Sequence, residues 1–177
     1  ENMKDLGGGK LADMAKTMER GNFEIMGGDQ IALMAKEFKG ENMKDLGGEK
    51  LADMAFNMAR DNFKDMGGDK IAVMAKEFEP ENMQELGGAK LTDMAANMAR
   101  DHFKDMGGDK IAVMAKEFEP ENMQDLGGEK LTDMAFNMAR DHFKDMGGDK
   151  IAVMAKEFKP ENMQELGGAK LTDMAAN

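Results

Sequence analysis

A Gly-Gly pair recurs at 7–8, 27–28, 47–48, 67–68, 87–88, 107–108, 127–128, 147–148 and 167–168. This fixed 20-residue spacing forbids a continuous coiled coil, because each pair costs about 2 kcal/mol relative to alanine in a helix interior. Self-similarity at a fixed period is also the signature of repeat architectures. Glu-Asn-Met begins at residues 1, 41, 81, 121 and 161, which superposes a coarser period of 40. Two flavours of unit therefore alternate. The odd flavour is residues 81–100 (ENMQELGGAKLTDMAANMAR) and the even flavour residues 101–120 (DHFKDMGGDKIAVMAKEFEP). The nine units are 1–20, 21–40, 41–60, 61–80, 81–100, 101–120, 121–140, 141–160 and 161–177. The first two diverge most, and neither end carries a polar capping unit of the kind a free-standing solenoid needs. The expectation is a piece of a longer array, or one whose ends other chains cover.

Each unit reads as a short helix, a Gly-Gly turn and a longer helix. Pro160 suits a first helical position, where its missing N–H costs nothing. Glu161 then sets a negative charge against the positive end of the helix dipole. Gly87-Gly88 and Gly107-Gly108 are expected as structural turns, the first glycine in a left-handed cap and the second freeing the chain to bend. The longer helix is expected to begin at Asp109 as N-cap. Its stripe Ile111, Met114, Ala115, Phe118 has helical spacing, as has Leu91, Met94, Ala95, Met98 in the odd flavour. Residues 90–106 lack both Gly and Pro and fit one continuous helix, but Gly21 and the candidate N-caps Asp61, Asp101 and Asp141 favour a break. One stripe cannot be buried by one unit, so successive units must stack. The fold expected is an all-α solenoid of about nine 20-residue units in a 40-residue super-repeat.

The segment Phe118-Glu119-Pro120-Glu121-Asn122-Met123 resembles the helix starts of short-helix α-solenoids such as the cytosolic N-terminal domain of MgtE-type magnesium transporters. The resemblance is architectural, lacks the Gly-Gly pair, and implies no functional residue.

Candidate sites are best read against the repeat. Phe56 and Phe136 fill the sixteenth position of units three and seven, where other odd units have Lys16, Ala96 or Ala176. They are candidate docking points for a protein partner, with packing against the adjacent unit as the alternative. Met14 and Met18 stand four apart, a spacing open to Cu(I). Even units replace one such Met by Phe118, which suits packing better than ligation. Asp105 and Asp109 flank a Gly-Gly pair, but no EF-hand pattern surrounds them. His102 and His142 replace an Asn found at Asn2, Asn22, Asn42, Asn62, Asn82, Asn122 and Asn162. Hydrogen bonding to backbone near a helix start is the role expected of both residue types. Lys at position ten, with Arg20, Arg60, Arg100 and Arg140, forms charge rows beside Asp53, Asp93 and Asp133, expected either as ion pairs between units or as a charged rail for a partner or a second copy of the array.

The chain has no Cys and no Ser, so a Cys or Ser nucleophile is ruled out, as are disulfides and Cys-based metal sites. No nucleotide-binding glycine fingerprint is present. Paired carboxylates are copied along the array, whereas an active site is a single cleft. These features argue against an enzyme, and no cofactor is expected. A net charge of −11 argues against nucleic acid, and no apolar run is long enough to insert in a membrane. The absence of Cys fixes no compartment. The leading expectation is a structural scaffold, an elongated or self-assembling, filament-like helical array whose partners are other copies of itself or adjacent modules. A protein- or peptide-binding solenoid comes second, and a divalent-cation-binding acidic repeat third.

Overall fold

A computed structural model describes residues 2–177, with side chains from Met3 onward. The described residues form thirteen helices and no strand. Odd units supply one long bent helix each: α1 (Asn2–Lys16), α4 (Gly40–Phe56), α7 (Pro80–Ala96), α10 (Pro120–Phe136) and α13 (Pro160–Ala175). Even units supply two each: α2 (Arg20–Met26) and α3 (Gly28–Lys36), α5 (Arg60–Met66) and α6 (Gly68–Lys76), α8 (Arg100–Met106) and α9 (Gly108–Lys116), α11 (Arg140–Met146) and α12 (Gly148–Lys156). The bend in each odd helix falls on its first glycine, so both flavours share one plan of short helix, glycine joint and longer helix.

The two glycines of a pair do different work. The first has positive φ in all nine copies, for example φ 77° and ψ 164° at Gly87 and φ 96° and ψ 145° at Gly107. This is not the left-handed helical cap the sequence suggests. It is the mirror of the extended region, open almost only to glycine. Gly88 and Gly108 do not loosen a turn. Each lies at or beside the first residue of the second helical segment, pressed against the next units. A Cβ on Gly88 would stand 2.5 Å from the Glu117 carbonyl oxygen and closer still to the Asn122 side chain. The second glycine is a close-approach residue, and its neighbours lie one and two units ahead.

The helix starts also differ in detail from expectation. Asp109 is in the first turn of α9, behind Gly107 at the N-cap, so its charge meets the helix dipole without capping. The break within 90–106 is present, at residues 97–99, but Asp61, Asp101 and Asp141 are not the caps. The cap positions belong to Ala59, Ala99 and Ala139, which offer no side-chain acceptor. Pro80, Pro120 and Pro160 open α7, α10 and α13 as expected.

The stripes form one continuous core. Ile111, Met114, Ala115, Phe118, Leu91, Met94, Ala95 and Met98 are all buried. Each large stripe residue contributes roughly 1.5–3 kcal/mol of burial. Odd helices pack on odd helices, α1 on α4, α4 on α7, α7 on α10 and α10 on α13. Even units do likewise through α3 with α5, α6 with α8 and α9 with α11. Cross-contacts such as α4 with α6 and α7 with α9 join the two columns. A unit is therefore shielded by its sequence neighbour and by the next unit of its own flavour, a wider embrace than one apolar stripe implies.

Candidate interaction surface

Many of the repeated polar residues join successive units of the same column. Asn62 accepts a hydrogen bond from the Ala59 N–H at 2.8 Å, and its amide donates to Asp29 Oδ1 at 2.6 Å. Asn82 and Asn122 accept from Glu79 and Glu119 N–H at 2.9 Å. His102 and His142 do the same through Nδ1, each accepting at 2.9 Å from Ala99 or Ala139 N–H. That contact requires Nδ1 to carry no proton. The helix-start role read from the sequence is thus the observed one; Asn2 lies outside the described side chains. The two imidazoles serve two separate helix starts, and among the described residues no cluster of three or more His, Asp or Glu could hold a metal ion.

Lysine at position ten is not mainly an ion-pair residue. Lys110 Nζ donates to the Phe78 carbonyl at 2.5 Å, and Lys150 does so to Phe118 at 2.5 Å. Lys50, Lys70, Lys90, Lys130 and Lys170 donate to the equivalent carbonyls of Met18, Phe38, Met58, Met98 and Met138. Each lysine thus satisfies a carbonyl exposed where the chain leaves a helix. Only weaker carboxylate contacts accompany this, as between Lys150 and Glu119 at 3.4 Å. Burial lowers the pKa of the Lys90 ammonium, against the pull of Asp93.

Arg20, Arg60 and Arg100 each form two ion pairs, whereas Arg140 forms none among the described residues. Arg20 donates through Nε to Asp53 at 2.7 Å and reaches Glu85 at 2.6 Å. Arg60 pairs with Asp93 at 2.9 Å and with Asp125; Arg100 pairs with Asp133 at 2.8 Å and with Glu165. The bonds to Glu85 first, and to Asp53 second, raise the pKa of Arg20 above its ordinary value. The Asp partners were legible from their regular spacing. Glu85, Asp125 and Glu165 were not, because 65 residues separate each from its arginine and only the stacking of odd units closes the gap.

Phe56 and Phe136 lie on this edge, each 45 % exposed. Neither is buried against an adjacent unit. Arg20 stands over the Phe56 ring at 4.8 Å and Arg100 over Phe136 at 4.6 Å, both within cation–π range. Met14 is exposed and Met18 half-buried, while their equivalents Met54 and Met58 are core residues. Where α7, α9 and α11 meet, an open groove of about 470 Å³ runs past Pro80, Val113, Lys116 and Asp145. No described helix is long and apolar enough to cross a membrane.

The fold and its evenly distributed contacts define an all-α helical repeat protein. No family model matches the chain, and no curated protein aligns with it significantly.

Proposed function

We propose that the chain is a structural scaffold segment, a helical repeat array that spaces or assembles other modules. The observation that carries this reading is where the recurring polar groups are directed. Lysine, arginine and asparagine at repeat-equivalent positions bond to neighbouring units, leaving no single cleft with unmatched chemistry. Among the described residues no buried side-chain polar atom lacks a partner. The exposed area of 8927 Å² is close to the roughly 8500 Å² expected of a compact chain of this mass. An array of this size is thus a short, thick stack, and reach comes from adding repeats.

The second reading is a protein-binding solenoid, favoured by one observation, the half-exposed rings of Phe56 and Phe136. The two readings part in a single-molecule energy-transfer experiment. The chain has no native Cys, so cysteines placed at Lys4 and Asp173 label cleanly. A spacer gives one narrow distance that is unchanged by salt and by added cell extract. A broad distribution, or one that shifts on binding an extract protein at equal stoichiometry, favours the binding reading.

A further inference from the structure

Position sixteen of an odd unit and position five of the next odd unit share one site, as the hydrogen bond from Lys16 to Asp45 demonstrates. Four such pairs occur: Lys16 with Asp45, Phe56 with Glu85, Ala96 with Asp125, and Phe136 with Glu165. Phenylalanine always accompanies glutamate, and any other residue accompanies aspartate. The last three of these sites each hold an arginine. Arg20 lies on the Phe56 ring and meets the carboxylate of Glu85. Arg100 lies on Phe136 and meets Glu165. Arg60 stacks on no ring, the equivalent position being Ala96, and meets the shorter Asp125. The two sites with a ring under the arginine carry the longer carboxylate, and the site without one carries the shorter.

We infer that these alternating arginine sites give the array a structural period of two super-repeats and act as a register key. In an array whose super-repeats are otherwise nearly identical, looping out one super-repeat, or exchanging it between chains, preserves almost every core contact. Looping out residues 81–120 would set Asp125 beside Phe56, and looping out 121–160 would set Glu165 beside Ala96. In the first case Arg20 keeps its ring but faces a carboxylate one methylene shorter than Glu85; in the second Arg60 faces one a methylene longer than Asp125. A slip by two super-repeats would not be penalised in this way. Exchange of identical elements is a low-cost route to dimers in repetitive chains, so a device that penalises the shortest slip has a clear use.

Arginine side-chain NMR on the full chain tests the coupling. Arg20 and Arg100 should show ring-current shifts that Arg60 lacks. Ala96→Phe together with Asp125→Glu should move Arg60 into the Arg20 class, whereas Ala96→Phe alone should not. Glu85→Asp should reduce the Arg20 shift by more than half. If Ala96→Phe alone suffices, or Glu85→Asp leaves Arg20 unmoved, the two positions are independent and the inference fails. Refolding tests the register. The uniform variant Phe56→Ala, Glu85→Asp, Phe136→Ala, Glu165→Asp should give at least twice the exchanged dimer of the native chain on size exclusion. An unchanged dimer fraction would overturn the register role.

Discussion

Alanine at the second glycine of a pair should destabilise the protein in the middle of the array and stabilise it in the last unit. At Gly88 the new Cβ would lie 2.5 Å from the Glu117 carbonyl and nearer still to Asn122. Ordinary contact begins at 3.4 Å, so the next units must retreat by about 1 Å. Overpacking of this kind costs roughly 1–3 kcal/mol. The displaced Asn122 also weakens the bond it accepts from Glu119 N–H, adding about 1 kcal/mol. Against this, alanine gains about 1 kcal/mol of helix propensity over glycine. The net for Gly88→Ala is a loss of about 1–3 kcal/mol. At Gly168 nothing lies within 4 Å of the same Cβ, so only the propensity gain remains. Gly168→Ala should therefore stabilise by about 0.5–1 kcal/mol. Urea denaturation followed by circular dichroism, with the slopes compared to confirm a common unfolding unit, reads both. Equal shifts of the same sign would refute the close-approach role of the second glycine.

Other outcomes follow from the same contacts. Gly9 and Gly21 lie within helices with open space around them, so Gly9→Ala and Gly21→Ala should each raise the thermal midpoint, by about 0.5–1 kcal/mol of stability. Phe118 is fully buried at the even-to-odd junction, and Phe118→Ala should cost about 3–5 kcal/mol, with amide exchange accelerated most in α9 and the units flanking it. Brief peroxide treatment with mass spectrometry should oxidise Met14 and Met163, 47 % and 41 % exposed, before Met54, Met94 or Met134, which are fully buried.

Periodicity carried most of the fold into view. A stripe of apolar residues at helical spacing and a glycine pair in every unit leave few alternatives to stacked helices, and Pro80 or Pro120 fixes where a helix begins. The details that escaped are those set by tertiary approach. Asp101 and Asp109 have the chemistry of N-caps, yet the caps are Ala99, whose N–H is satisfied by His102 from inside the helix, and Gly107, which takes a positive φ where the chain bends. Gly88 looks like half of a flexible turn, yet it is a contact surface, and nothing within its own unit reveals the Glu117 carbonyl waiting in the next. Phe56 and Phe136 stood out because they break the repeat. Their pairing with Arg20 and Arg100 did not, because cation–π stacking joins residues of different units through a packing that local pattern does not encode.

Small-angle scattering on the chain and on versions lengthened by one and two copies of residues 81–120 measures the stacking itself. Interhelical spacing predicts about 10 Å of added length per copy at constant cross-section. Growth of every dimension together, with the radius of gyration following roughly the 0.38 power of chain length, would contradict it.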